Sequence, residues 1–526
     1  MRRIKNPLSG HLDRTPAARP RWGARAIVAV LLALVAITAL GFYTAQEDFL
    51  GRAALTLHDV DTLGPFTAVD RILVLAPHPD DEVLGTGGLI QQAIAAGADV
   101  RVVFLTLGEN NLVSFATYAK RPMLMPSQVR NMGETRRKEA LAALQVLGVA
   151  PEKITFLGYP DAGTLRIWES FWSDDSALWN RWIRSSQVPY QEALSTGAAY
   201  IGGSVLADLE RIIVAYQPNL VIASHPNDAN PDHQALWLFA QAALLDLGAP
   251  YDSIPLWSYL VHFGDWTKPG QHLQSQYLLP PEALRQGDMS WVTLLVAEEQ
   301  IAVKAAALNR HATQLSFRNA YLKSFVRPNE LFAQVTPIQL SAPLSEWQRV
   351  EFRPFFGSPK ASLLKRFAPG LYLTQFDLIE EGGDILVSVA TERTLSARQT
   401  LVVWLYPQRR GAAFALAPKV ELVLSHTGLL KAQDLRNGAP CDAVVLREGD
   451  HMLVRINRAA LDEPDALFLA ASMRANGITL DHTGWRLVYL EPQPEDVLEQ
   501  IPQDGALHAW ERQEDDSDGD QAIPGE

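Results

Sequence analysis

A histidine and a dense run of carboxylates stand where an apolar segment stops, and this arrangement constrains the chain most. Arg71-Ile72-Leu73-Val74-Leu75 is short, β-branched-rich and bounded, which predicts a buried strand. Ala76-Pro77-His78-Pro79-Asp80-Asp81-Glu82 follows it, and Val83, Leu84, Leu89, Ile90, Ala93 and Ile94 then recur at helical spacing until near Gly97. A strand that runs through a polar loop into a helix is part of an α/β fold, whose ligands gather at the carboxyl ends of the strands. Capping the helix needs only one short polar residue such as Asp80 or Asp81, so capping leaves the His, Asp, Asp and Glu together unexplained. An imidazole and a carboxylate suit a divalent metal such as zinc, and a second carboxylate beside them is free to act as a base.

A second segment repeats the pattern. Val205, Leu206, Leu209, Ile212, Ile213 and Tyr216 have helical periodicity, Pro218 ends that helix, and Leu220-Val221-Ile222-Ala223-Ser224 predicts another buried strand. His225-Pro226-Asn227-Asp228-Ala229-Asn230-Pro231-Asp232-His233 follows directly, ahead of an apolar helix through Leu236, Phe239, Ala242 and Ala243. In a parallel sheet both loops open on one face, so His78, Asp81 and His233 can converge on one ion. Three protein ligands leave a position for water, the arrangement of a catalytic zinc.

The two loops together resemble the LmbE-like and PIG-L-type zinc-dependent N-deacetylases, which act mostly on substrates containing N-acetylglucosamine. Pro77-His78-Pro79-Asp80-Asp81-Glu82 matches the most specific motif of that family, and Asp232-His233 matches the end of its second motif. The resemblance implies a Rossmann-like, mostly parallel sheet with flanking helices. It also implies His78, Asp81 and His233 as ligands of Zn2+, and Asp80 as general base. Arg136-Arg137-Lys138-Glu139-Ala140 with Leu147-Gly148 resembles the arginine-glutamate helix of the family, which makes Arg137 a candidate for binding substrate. Leu157-Gly158-Tyr159-Pro160-Asp161-Ala162-Gly163 resembles the loop whose aspartate, here Asp161, lies near the substrate, and 304–314 resembles the terminal helix. The resemblance covers 71–332. One departure stands out: Asn230 occupies the place of a histidine that serves the oxyanion or donates a proton. An amide donates a hydrogen bond but delivers no proton near neutral pH, so either Asn230 keeps only the electrostatic part or His225 supplies the rest.

The remaining organisation follows from composition. A net charge of -13 gives no support to nucleic-acid binding, and the single cysteine, Cys441, excludes an intrachain disulfide framework. Arg2, Arg3, Lys5, Arg14, Arg19, Arg21 and Arg25 precede an uncharged apolar run, 26–45, and Glu47 and Asp48 follow it. That run is long enough to span a bilayer, and the basic flank predicts a cytoplasmic segment 1–25, a single-pass membrane anchor and an extracytoplasmic catalytic domain. Cleavage as a signal peptide is the competing reading, against which Tyr43 is too bulky for a cut after Ala45. Between the motifs, Trp168, Trp172, Trp179 and Trp182 would share one stripe if 168–183 were a continuous helix, either packed on the α/β core or forming a lid.

The deacetylase-like domain is expected over 65–335 and an all-β sandwich-like domain over 340–491. The second rests on short apolar runs at 371–378, 385–390, 401–406, 420–424, 452–456, 467–470 and 485–490, divided by turn residues. The Pro-, Asp- and Glu-rich tail 492–526 is expected to be disordered. Two function classes follow. One is a membrane-anchored zinc hydrolase that deacetylates amino sugars of a glycan, or a related deacetylase of a small sugar conjugate. The other is a glycan-binding protein on an inactive deacetylase fold.

Overall fold

The computed structural model describes residues 60–110, 125–264, 266–267, 276–285, 289–340, 347–350, 372–476 and 478–490. The expected cytoplasmic segment 1–25, anchor 26–45 and acidic tail 492–526 lie outside them. Among the described residues, no helix is long and apolar enough to cross a membrane.

The first part of the chain is an eight-stranded sheet with flanking helices. In chain order its elements are β1 (Asp61–Thr62), β2 (Arg71–Ala76), α1 (Asp81–Ala95), β3 (Asp99–Thr106), α2 (Pro126–Leu147), β4 (Ile154–Tyr159), α3 (Thr164–Ser170), α4 (Gly202–Tyr216), β5 (Leu220–Ser224), α5 (Pro231–Leu247), β6 (Leu256–Tyr259), β7 (Met289–Leu295), α6 (Glu298–Leu308), α7 (Ala312–Lys323) and β8 (Asn329–Val335). The strand order is β1-β7-β8-β6-β5-β2-β3-β4. The run from β6 through β5, β2 and β3 to β4 is parallel, while β8 pairs antiparallel to β6 and β7. The chain leaves β2 toward β3 and β4 on one side, and β5 and β6 add on the other. The boundary between β2 and β5 is therefore the switch point, where open α/β sheets bind ligands.

Helix α1 is pressed onto this sheet. A Cβ at Gly85 would lie 2.3 Å from the Tyr259 ring, so glycine admits a contact that alanine would block. The Tyr259 hydroxyl donates to the Leu75 carbonyl at 3.0 Å, which ties the end of β6 to the end of β2. Farther along α1, Glu330 accepts from the Gly88 and Leu89 amides and pairs with the buried Lys304 ammonium at 2.5 Å. A buried ion pair holds its place when such further hydrogen bonds satisfy it.

Beyond β8 the described residues form β-strands and two short 3-10 turns. The strands are β9 (Ile338–Gln339), β10 (Gln348–Arg349), β11 (Leu373–Glu381), β12 (Asp384–Thr391), β13 (Gln399–Gln408), β14 (Val420–Ser425), β15 (Gly428–Asp434), β16 (Ala443–Glu448), β17 (His451–Asn457), β18 (Ala466–Ala475), β19 (Ile478–His482) and β20 (Arg486–Tyr489). One sheet runs β10-β11-β12-β17-β16 and the other β15-β14-β13-β18-β20-β9, with β19 also paired to β18, and together they enclose an apolar core. Each apolar run read from the sequence overlaps one of these strands. Strands β15 (Gly428–Asp434) and β16 (Ala443–Glu448) had no such signal, because they are mostly exposed edge strands. Strand β13 (Gln399–Gln408) is buried on both faces. Its Leu401, Val403 and Leu405 enter the core between the sheets, whereas Val402, Trp404 and Tyr406 join the core of the α/β part.

The aromatic insertion departs from a continuous helix. Helix α3 ends at Ser170, and Asp174–Ser176 forms only a 3-10 turn. Trp168 and Trp172 are buried in the shared core, but Trp179 is 59% exposed. The four tryptophans thus form no single stripe, because the chain leaves helical geometry at Phe171.

Candidate active site

The loops after β2 and β5 meet at the switch point. Asp81 opens α1, and its Oδ2 lies 3.1 Å from Nδ1 of His78 and 3.1 Å from Nε2 of His233 in the first turn of α5. Zinc bonds of about 2.0–2.2 Å in tetrahedral geometry separate the donor atoms by roughly 3.3 Å, so this spacing fits the edges of a zinc tetrahedron. Each imidazole turns its other nitrogen to a carboxylate: His78 Nε2 is 3.1 Å from Asp232 Oδ2, and His233 Nδ1 is 3.0 Å from Asp228 Oδ2. Metal-bound histidines are oriented in this way, which fixes tautomer and ring. Nε2 of the fully buried His233 has no well-directed hydrogen bond among the described residues, as expected of a nitrogen aimed at an ion.

A second grouping, His78 with Asp161 and Asp232, has the same compactness but different chemistry. Asp232 Oδ1 already accepts from the Thr164 amide at 3.0 Å and its hydroxyl at 2.5 Å, and Oδ2 accepts from the Ala162 amide at 2.6 Å. Its lone pairs are committed, so Asp232 orients His78. The donor set that remains for a metal is His78, Asp81 and His233.

Charge separation at the site is strong. Burial works to raise the Asp81 carboxyl, but His233 and His78 outweigh it and hold that carboxyl well below the usual range. Burial likewise works against charge on His233, yet Asp228 and Asp81 push it up to about 9. A divalent ion bound by these groups would displace protons from them.

Asp80 stands apart from the ligand set. It occupies the position before α1 at φ 131°, a backbone region that non-glycine residues rarely adopt, and its side chain makes no capping bond. Its amide donates to Glu82 Oε2 at 2.8 Å, and Glu82 Oε1 lies 2.9 Å from Nε2 of the buried His311. Arg136 donates to the carbonyls of Pro79 and Gly108, each at 2.6 Å, and pairs with Asp80 Oδ1 at 3.2 Å. Gly108 has φ 62° and leaves no room for a Cβ, which would meet the Arg136 guanidinium at 1.9 Å. Burial raises the Asp80 carboxyl to about 6, and Arg136 opposes the shift. A carboxyl near that value suits a general base at neutral pH.

A cavity of about 200 Å3 opens onto these groups, lined by His78, Asp80, Asp81, Leu84, Asn110, Arg136, Asp161, Asn230, His262, Gln314 and Leu322. Asp161 receives the Asn110 amide on Oδ2 at 2.8 Å. Asn230 caps α5 by accepting from the Asp232 amide at 2.9 Å, which leaves its amide nitrogen as the side chain's donor, and the residue lines the cavity.

Two expected residues lie elsewhere. His225 is fully buried, stacked on Trp291 at 5.6 Å, and accepts from the Asn227 amide; it does not line the cavity. Arg137 pairs with Glu134 at 2.9 Å on α2, and its neighbour Arg136 is the arginine that reaches the cavity. One step along a helix turns a side chain by about 100°, so adjacent arginines cannot share a face.

His262 was not apparent from sequence. It follows β6, a third strand ending on the same face, and its ring lies 5.0 Å from that of His233. Its amide donates to Asp228 Oδ2 at 2.8 Å, and its Nδ1 lies 3.3 Å from the Tyr321 hydroxyl. The one available signal was a histidine just after the short apolar run 256–261.

The sequence pattern of the PIG-L family, described as GlcNAc-PI de-N-acetylase, matches residues 73–244, which hold both loops. A 1D-myo-inositol 2-acetamido-2-deoxy-alpha-D-glucopyranoside deacetylase of Rhodococcus erythropolis is 30% identical over 264 residues, 47% of this chain and 81% of its own length. The enzyme of the same name from Corynebacterium diphtheriae is 30% identical over 274 residues, 50% of this chain and 83% of its own. The chain belongs to the PIG-L family of de-N-acetylases. Among solved structures, N,N'-diacetylchitobiose deacetylase from Pyrococcus horikoshii is 19% identical, with a TM-score of 0.31, over 50% of this chain and 82% of that one. The residues that match the family lie in the α/β part, and the relatives named above align to half of this chain or less.

Proposed function

We propose that this chain is a zinc-dependent N-deacetylase that removes N-acetyl groups from N-acetylglucosamine-type sugars of a glycan or glycoconjugate. The observation that carries this reading is the shared oxygen of Asp81, 3.1 Å from one nitrogen of each of two histidines, with Asp80 on the same cavity.

His78, Asp81 and His233 would hold the ion, which when bound would lower the pKa of a water and supply positive charge to stabilise a developing oxyanion. Asp80 takes the proton of the water that attacks the acetamide carbon. The amide of Asn230 donates to the developing oxyanion, and His262 lines the same space as a second polar group. Asp80 then returns its proton to the nitrogen as the C–N bond breaks, giving acetate and a free amine. Asp161 and Arg136 offer the polar groups that would orient the sugar.

The relatives act on a small N-acetylglucosamine conjugate of inositol, which supports a sugar conjugate as the substrate class. An anchor at 26–45 with the catalytic part outside the cytoplasm favours an envelope glycan, and the basic flank before that run supports this orientation. The experiment is acetate release by the purified full chain from a panel of N-acetylated sugars and glycans, with metal content measured in parallel. About one zinc per chain and acetate release are expected. A parent protein that binds zinc and glycan but releases no acetate from any substrate would instead be a glycan-binding protein.

A further inference from the structure

Helix α3 connects the candidate metal centre to the all-β part of the chain. It has seven residues, too few to hold a helix in water without outside support. At its start, Ala162 and both polar groups of Thr164 saturate Asp232, whose Oδ2 lies 3.1 Å from His78. At its end, the Tyr406 hydroxyl from β13 donates to the carbonyls of Trp168 at 3.1 Å and Glu169 at 3.0 Å. These are carbonyls of the last turn, which have no partner within the helix.

The Trp168 ring is enclosed from both parts of the molecule. Phe239 of α5 packs edge-on at 5.0 Å, and Tyr406, Phe414, Phe468 and Trp485 lie between 5.4 and 5.8 Å away. The Phe414 amide donates to Asp246 at 2.8 Å, near the end of the helix whose first turn carries Asp232 and His233. The fully buried Lys419 ammonium donates to the Phe414 and Ala417 carbonyls and sits 3.9 Å from the Phe414 ring centre.

We infer that the all-β part positions the metal centre, with Tyr406 and Trp168 as positioning residues that hold α3 and, through it, the Asp232–His78 pair. The inference rests on the metal reading proposed above. It makes the C-terminal sheets part of the catalytic unit, where they act by fixing the direction of the His78 ring.

The test compares the full-length Tyr406→Phe protein with the parent. This change keeps the ring in its cage and removes only the hydroxyl. Amide hydrogen exchange at Ala162 and Thr164 is measured in metal-free protein, and zinc affinity by competition with a chelator. Exchange at both amides should quicken roughly tenfold, and zinc should bind roughly tenfold more weakly, as when a partner of a ligand is lost. Leu422→Ala, in the core between the two β sheets, should lower the melting temperature without moving either readout. Parental exchange and affinity in Tyr406→Phe, or an equal response to Leu422→Ala, overturns the inference. If the parent holds no metal, the metal reading falls, and the exchange rates alone decide whether Tyr406 fixes the Asp232 contacts. Should Tyr406→Phe not fold, Trp168→Phe is read in the same way.

Discussion

Nε2 of His78 and Oδ2 of Asp232 lie 3.1 Å apart although 154 residues separate them. That contact turns the other nitrogen of His78 toward Asp81, so two loops distant in sequence produce one donor set. Asp232→Asn replaces the accepting oxygen partner without removing a ligand. It should weaken zinc binding by roughly ten- to a hundredfold. Asp81→Asn should weaken it further, because a neutral amide is a poorer ligand than a carboxylate. Zinc titration of both variants checks the order; a larger loss in Asp232→Asn would move that carboxylate into the ligand set.

Asp80→Asn separates chemistry from metal binding. The side chain is not among the converging donors, so zinc content should match the parent while deacetylation falls by roughly a hundredfold or more. Acetate release and metal analysis on the same preparation test this. Equal zinc loss in Asp80→Asn and Asp81→Asn would show that the two aspartates are assigned the wrong way round.

The oxyanion side can be divided among three residues. Asn230→Ser keeps an oxygen able to cap α5 but removes the amide donor, and should lower kcat by roughly a hundredfold. His262→Ala should lower activity by roughly tenfold or more, as its ring lines the cavity. His225→Ala should cost stability instead, because the buried ring stacks on Trp291 away from the cavity. The comparison is of kcat, KM and melting temperature for each; a loss of kcat in His225→Ala with the fold intact would restore that residue to the chemistry.

Glu109 gives the protein a pH dependence of its own. Burial, reinforced by the charge of Asp161, raises its carboxyl to about 8, so the folded state keeps a proton that the unfolded state releases near the ordinary value of 4.5. Stability from this group is present in full below that value and declines as pH rises toward 8, by up to roughly 1.4 kcal/mol for each unit crossed. Glu109→Gln carries no such proton, so its melting temperature relative to the parent should climb from pH 5 to pH 8. A difference that stays flat over that range would mean that Glu109 is ionised in the folded protein.

Much of the centre was legible in the amino-acid order, since its ligands sit at the ends of short apolar strands and strand, loop and helix are each written in local periodicity. That grammar places His78, Asp80, Asp81 and His233 at two strand ends, while the roles given to each came from the resemblance to the deacetylase family. Which of two adjacent arginines faces the cavity depends on the rotation of α2 against its neighbours, so the structure puts Arg136 there and leaves Arg137 on Glu134. His262 reaches the site only because β6 lies beside β5. In β13, the unbroken run of apolar residues marks a strand covered on both sides, but nothing within it names the covers. Leu401, Val403 and Leu405 meet the opposite sheet, while Trp404 and Tyr406 meet the α/β part. Periodicity records which face of an element avoids water; only long-range packing decides what shields that face, and thereby joins Tyr406 to the helix that steadies Asp232.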